Sequence, residues 1–528
     1  MAPIQVGNID DGTELGRRYM ADFAQVETFF ATDYRRLEHL AAHANKLLSR
    51  TWASRFDRDA TADLLRDYAT AMIAPQPVLH NIQRLRDKHC VCVVTGQQAG
   101  LGGGPLLVLY KAMTAIKLAR ELEQAAGMAV VPVFWNASDD SDLEEINRLR
   151  SVDAAGNLQK FRFKMTAGKR HVRDVLMPDP ADPQWRQAEA LLNEGPFRDR
   201  AMALLRDGAG RDFGTAFTRL LLELLGPRGL VVIEPRALVR HPQWRRLMDF
   251  EIENREQNRQ QLQRLSERLE SVSLPAGVPI TNHLNLFLTV QGERRHVTCE
   301  GRHLVIEGQS GTTSKTALLK QLRAEPGAFT PNVLLRPLVQ NAIFPTVAYV
   351  GGQAEIAYHA LLKGLHRSAK VFMPALFPRM SMTLVQAQDA RRFDELVSFR
   401  KGLKWRQKEA AVVGDSAQTG LKTAFAGMRT DLKGLAKALD QEIEKLEQRT
   451  QRSITDIMTR VKYEPLKLLS GGQEFEPLLN RYFPEDKPQE RVISVLAALA
   501  HYGARLVDQV EAHPDLFDFH HHVAIVGG

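Results

Sequence analysis

The chain has 528 residues, 44% of them apolar and 25% charged, which is enough for a large core and for more than one domain. Its net charge of +8, from 70 basic and 62 acidic residues, is small for this length, and no basic block with interleaved aromatics argues for nucleic acid. No apolar run approaches the ~20 residues of a membrane span, Met1 to Arg18 lacks the apolar core of a signal peptide, and Cys90, Cys92 and Cys299 make neither a disulfide framework nor a zinc site, so a cytoplasmic protein is expected.

Residues 12–87 read as helices, with apolar spacings such as Leu37, Leu40 and Ala41. An apolar stretch, Cys90 to Val94, then feeds the glycine-rich turn Thr95-Gly96-Gln97-Gln98-Ala99-Gly100-Leu101-Gly102-Gly103-Gly104-Pro105. A helix over 106–122 and a strand over 129–135 follow, and this βαβ unit predicts a parallel sheet. A hairpin is expected at 148–165, helices at 184–206 and 213–225, and a third strand at 229–233. A polar helix at 239–271 leads to a second β-rich insertion at 284–307. The parallel pattern returns with a strand at 346–350, a helix at 353–366 and a last strand at 370–373.

Beyond residue 383, Leu421, Phe425, Met428, Leu432, Leu435, Leu439, Ile443 and Leu446 recur at spacings of four and three, the rhythm of a coiled coil. Two long helices, 384–412 and 418–464, are expected, pairing either with a second subunit, the favoured reading, or with each other. The tail, 489–528, reads as a helix and a short strand, with His520, His521 and His522 on the surface.

Three constellations could carry chemistry. The first is the glycine turn, where helix N–H groups and the side chains of Gln97 and Gln98 suit a phosphate or carboxylate. It is neither a dinucleotide fingerprint nor a Walker loop, and Lys111, two turns into the helix, is expected to lie out of its reach. The second is Asp139-Asp140-Ser141-Asp142, at the carboxyl end of the second strand. These aspartates could hold Mg²⁺ through water, receive an ammonium or act as a base, or simply cap a helix. The third is Arg336, Gln340 and Asn341 with Tyr349, Gly351, Gly352, Glu355, Tyr358 and His359. It combines a second glycine corner, a cation for a carboxylate or phosphate and a histidine on one helical face. Arg379 and Ser381 follow near a strand end.

These residues carry a resemblance. Val94 to Leu101, Gly103-Gly104-Pro105-Leu106, Lys111, Pro132 to Trp135, Asp140, Asp142 and Glu145-Ile146-Asn147 resemble the BshC family, the bacillithiol biosynthesis cysteine-adding enzymes. So do Leu335 to Gln340, Ala348 to Gly352, Glu355 to Tyr358, Pro378-Arg379, Ser381, Gln489 to Val492 and Tyr502-Gly503. The resemblance implies an α/β fold: a Rossmann-like parallel-sheet core akin to class I synthetases, with connecting-peptide insertions and a long α-helical coiled coil. On that plan residues 1–147 hold the N-terminal helices and first half of the core, 148–212 an insertion, 213–238 a core strand and helix, and 239–330 a second insertion. Residues 331–383 complete the core, 384–470 form the coiled coil and 471–528 the C-terminal helix and tail.

The activity implied is the joining of L-cysteine to glucosaminyl malate, the last step of bacillithiol synthesis, by an ATP-linked ligase that forms a carbon–nitrogen bond. ATP or ADP is the expected nucleotide, with Mg²⁺ beside it and no resident metal, and a homodimer through the coiled coil is expected. A carboxylate does not acylate an amine unactivated, so an acyl-adenylate or acyl-phosphate is the chemical expectation. Asp140, Asp142 and His359 are the catalytic candidates. Thr95, Gly96, Gln97, Gln98, Gly103, Gly104, Asn147, Arg336, Gln340, Asn341, Tyr349, Gly351, Gly352, Glu355, Tyr358, Arg379 and Ser381 are the candidates for binding substrate or anion. The chain departs from the family pattern at Ser141, where a histidine is usual, and at Leu107 and Val108, where an aromatic and a hydroxyl are usual. A homologue with altered catalysis is the alternative.

Overall fold

A computed structural model describes residues 12–526, apart from 193–194, 302, 432–436, 464–471, 504 and 513–514. Two compact units divide the chain. The first comprises Met1–Asp153, Leu158–Thr383 and Lys487–Ala524; the second comprises Ala154–Asn157, Leu384–Asp486 and Ile525–Gly528.

The first unit is an α/β fold with a Rossmann-like core. Its strands are β1 (Val91–Gln97), β2 (Val130–Asn136), β3 (Leu149–Val152), β4 (Leu158–Phe161), β5 (Val231–Ile233), β6 (His283–Val290), β7 (Glu293–Glu300), β8 (His303–Ile306), β9 (Phe329–Pro331), β10 (Thr346–Gly351) and β11 (Ala375–Pro378). Five of these make the central sheet, in the order β11-β10-β1-β2-β5, and every pairing in it is parallel. Central parallel strands are covered on both faces, so β1 and β2 are apolar runs with almost no exposed residue. The helix Leu107–Ala126 links them and stops at Gly127, whose φ of 64° is the left-handed conformation that ends helices.

β3 and β4 form the hairpin expected at 148–165. The second insertion is an antiparallel sheet in the order β8-β7-β6-β9. The helix Phe213–Leu225 has the expected limits and is capped by Asp212, which accepts from the Thr215 N–H. Three expectations fail. The helix read as 184–206 is two, Gln184–Ala190 and Arg198–Arg206. The last core strand is β11, not 370–373: Lys370 has a φ of 53°, and β11 joins the ladder only where Ala375 meets Ala348. The helix read as 353–366 is two, Gln353–His359 and Lys363–Ser368.

In the second unit the helix Ala390–Asp431 runs on through the break placed at 412–418, and it packs on Lys437–Tyr463 within the chain. Phe425 and Ile443 of the leucine seam are buried and Leu446 is exposed, whereas Leu432 and Leu435 lie outside the described residues. Among the described residues no helix is long and apolar enough to cross a membrane.

Candidate functional site

The chain leaves β1 for β2 on one side and returns to β10 on the other, so the connections diverge at the carboxyl ends of β1 and β10. Open α/β sheets bind ligands at such a switch point. Here it opens into a cavity of about 690 Å³. Gly96, Gln97, Gln98, Asp140, Arg336, Gln340, Tyr349, Gly352, Glu355, Tyr358 and Arg379, all candidates from the sequence, line it. Lys111, Trp135, Asp139, Arg294 and Gln353 line it as well.

The glycine turn is not a helix N-terminus aimed at a ligand. Residues 98–106 intervene between β1 and the helix, and residues 493–495 cover that helix start: Ile493 O accepts from the Leu106 N–H at 2.9 Å, and Gly104 O from the Val495 N–H at 2.9 Å. Gly103 and Gly104 therefore serve packing. Gly103 has a φ of 85°, and a Cβ there would sit 2.9 Å from Val495 Cβ.

Lys111 is not out of reach. Helical side chains lean toward the N-terminus, and its ammonium donates to Gly96 O at 3.0 Å and Gln97 Oε1 at 2.8 Å while pairing with Glu355. Glu355 in turn accepts the Gly352 N–H at 2.8 Å and the Tyr349 hydroxyl at 2.8 Å. One buried ion pair thus ties both glycine corners together. Burial pushes the Glu355 carboxyl up, but Lys111, the Gly352 N–H and Tyr349 outweigh it and hold the group below the usual carboxylate range. Burial holds the Lys111 ammonium below its ordinary value despite Glu355. The Gly352 N–H, expected to hold an anion, is already taken.

In the acidic loop, Asp140 accepts from Gln98 Nε2 at 2.7 Å, Arg294 Nη1 at 2.9 Å and the Ser141 N–H at 2.7 Å. Burial raises its carboxyl, but Arg294, Gln98 and the Ser141 N–H together hold it below its ordinary value. A carboxylate so engaged is a weak base. Gln98 directs its amide at Asp140 and Glu145, so those donors are not open to an anion. Asp142 caps the turn Leu143–Ile146 and is absent from the cavity lining, as is Ser141.

Arg336 differs from every other group here. Its guanidinium donates to the Tyr358 hydroxyl at 3.3 Å and forms no ion pair with a described residue. Burial lowers its pKa, yet Tyr358, Tyr349, Asp139 and Glu355 more than compensate, so it stays charged. Gln340, one helical turn on and 1% exposed, has both amide atoms without a partner, and the Trp135 Nε1–H is likewise unpaired. Buried polar groups are nearly always satisfied, so Gln340 and Trp135 leave hydrogen-bonding capacity unused on the cavity wall. Arg379, by contrast, pairs with the buried Glu490 at 2.6 Å and donates to Met380 O.

The remaining candidates lie off the cavity wall. The Thr95 hydroxyl donates to Val350 O within the sheet, Asn147 bonds both backbone groups of Phe163, and Asn341 is buried without partners. Gly351 and Ser381 line a neighbouring void of about 40 Å³; Ser381 bonds Glu490 and His521, which is buried rather than on the surface. His359 lies between the Tyr349 and Tyr358 rings, at 5.0 Å from each, with neither nitrogen bonded, and burial pushes it down to about 3. A base role needs a nitrogen on the cavity, which this ring lacks.

Sequence reasoning named Asp139 only as one of the acidic cluster, and it missed Arg294, Trp135 and Gln353. Trp135 had a usable signal, an aromatic ending a parallel strand. Arg294 had none: it comes from the second insertion, and only the tertiary fold brings it to Asp140. Among the described residues no three His, Cys, Asp or Glu side chains group as a metal site.

The model of the bacillithiol biosynthesis BshC N-terminal Rossmann-like domain matches residues 3–380, and that of the BshC C-terminal coiled-coil domain matches residues 393–526. The chain is 29% identical to a protein of Natranaerobius thermophilus over 72% of this chain and 70% of that one. It is 29% identical to one of Symbiobacterium thermophilum over 93% and 94%. It is 30% identical to one of Solibacter usitatus over 86% and 89%. All three bear the name "Putative cysteine ligase BshC". With both domain models matched in order along nearly its whole length, the chain belongs to the BshC family.

Proposed function

We propose that this protein joins the carboxylate of cysteine to the amine of glucosaminyl malate in an ATP-linked reaction, completing bacillithiol in the cytoplasm, and that it works as a homodimer through the coiled coil. The observation that carries the reading is Arg336: a half-buried cation that forms no ion pair with a described residue, on the wall of a cavity formed by residues of the family motifs. An anionic ligand group, a malate carboxylate or a phosphate, would neutralise it in bidentate fashion. A cavity of about 690 Å³ is of the size that holds such ligands. ATP would supply the activation that a carboxylate needs before an amine attacks it. Any Mg²⁺ would be held chiefly by nucleotide phosphates and water, since the described residues offer no cage for it.

Incubating the pure protein with cysteine, glucosaminyl malate and ATP, with mass spectrometry as the readout, tests this. Bacillithiol and stoichiometric nucleotide cleavage are expected. Neither product nor cleavage overturns the ligase reading. One observation favours the alternative, a homologue that binds nucleotide or carboxylate without this turnover: Asp140, the carboxylate of the family motif that lines the cavity, is locked to Arg294 and is not free to act as a base. That reading predicts thermal stabilisation by the ligands with no product.

A further inference from the structure

Of the three aspartates in the acidic loop, two are committed to the protein. Asp140 pairs with Arg294 and Gln98, and Asp142 caps the turn that follows. Asp139 is different. Only 3% exposed, it lines the cavity, and no described group donates a hydrogen bond to its carboxylate. Its backbone, by contrast, is anchored. The Asp139 carbonyl accepts from His171 Nδ1 at 2.7 Å, and the Arg173 and Val172 N–H groups bond the carbonyls of Ser138 and Asp140 on either side. The loop is thus built to hold this side chain in place without satisfying it.

We propose that Asp139 is the cavity's acceptor for a primary ammonium group. A buried carboxylate without partners is unfavourable unless a cation or several donors complete it. The guanidiniums of Arg294 and Arg336 lie near enough to feel its charge but leave its donors' places open, because Arg294 is held by Asp140 and neither donates a hydrogen bond to Asp139. A resident metal is a poor fit, since the described residues assemble no set of three ligating side chains. A primary ammonium brings one charge and three donors. The unpaired Gln340 amide oxygen, also on the cavity wall, offers a further acceptor. Asp139 then receives the cationic end of a ligand, while Arg336 receives an anionic one. The proposal rests on the ligase reading for the source of the ammonium, which is either an amino acid or an amino sugar.

The test measures binding to the full chain by calorimetry, for wild type and Asp139→Asn. The probes are cysteamine, 2-mercaptoethanol, 3-mercaptopropanoate and glucosamine. Wild type should prefer cysteamine or glucosamine over the uncharged 2-mercaptoethanol by tenfold or more. Asp139→Asn should weaken the preferred amine by roughly 10–100-fold, the range for a charge-assisted bond, and leave 3-mercaptopropanoate unchanged. Loss confined to cysteamine assigns the amino acid; loss confined to glucosamine assigns the amino sugar. Equal wild-type binding of amine and alcohol overturns the proposal without recourse to any variant. So does an Asp139→Asn protein with unaltered amine affinity, or one that loses the carboxylate probe equally. Amine binding at Asp139 in a protein that makes no amide sinks the ligase reading alone. Amide formation with amine affinity indifferent to Asp139→Asn sinks this subsite alone.

Discussion

Lys111 and Arg336 place two positive charges at one cavity and use them in opposite ways. Lys111 is satisfied by Glu355, Gly96 O and Gln97, so removing it leaves a buried carboxylate uncompensated. Lys111→Met should cost about 3–5 kcal/mol in urea unfolding, and pairing it with Glu355→Gln should recover much of that; a cost near zero would show that the pair does not join the corners. Arg336→Met should scarcely change stability but weaken binding of an anionic ligand by roughly 10–100-fold, the worth of one charge-assisted hydrogen bond. Titration calorimetry with malate checks this, and unchanged affinity would remove Arg336 from the site. These contrasting roles were not legible in the sequence. Arg336, Gln340 and Glu355 could be named as candidates, and they do line one cavity, but which of them is left open to a ligand depends on partners such as Arg294 and Tyr349 that only the fold brings near.

Among the elements, the glycine corner shows how far local pattern carries and where it stops. The strand, the turn and the helix Leu107–Ala126 were readable from an apolar run, glycines and an amphipathic stretch. That the corner is closed by residues 493–495 was not, because nothing near Gly103 encodes so distant a contact. Gly103→Ala should therefore act on folding: with a φ of 85° and Val495 in contact, it should cost about 1–3 kcal/mol. Denaturant melts should show this loss with malate affinity retained; the reverse pattern would return the corner to the ligand site. The strand misplaced at 370–373 failed for a related reason, since Lys370 to Met373 are as apolar as a short strand yet the ladder begins at Ala375. The helix Ala390–Asp431 runs unbroken through the break expected at 412–418, because helical hydrogen bonding tolerates weak formers inside a long helix.

For the molecule as a whole, three buried histidines set a pH dependence. Burial pushes His43 to about 4, His359 to about 3 and His366 to about 4, from an ordinary 6.5. Each is neutral when folded and takes up a proton on unfolding at any pH between those values and 6.5. Their contribution is therefore fully present above pH 6.5 and declines as pH falls toward 4, by about 1.4 kcal/mol per pH unit for each histidine well inside that window. Urea unfolding at pH 7, 6, 5 and 4 should show this slope, to which the buried His171 and His241, likewise lowered by burial, add, and His366→Phe should flatten it in part. A stability constant across the range would mean that these rings are protonated in the native protein.

The closing of the first corner by residues 493–495 also bears on how the protein is made. Leu106 emerges from the ribosome long before Ile493, and at ~5–20 residues/s the interval is roughly 20–80 s. Throughout that time the nascent chain carries a glycine-rich turn with its partner segment still untranslated. The cavity wall therefore cannot take its final form during synthesis, however early its own residues appear, and a ribosome stalled short of residue 490 would hold a polypeptide with every strand of the central sheet present and the cavity unfinished.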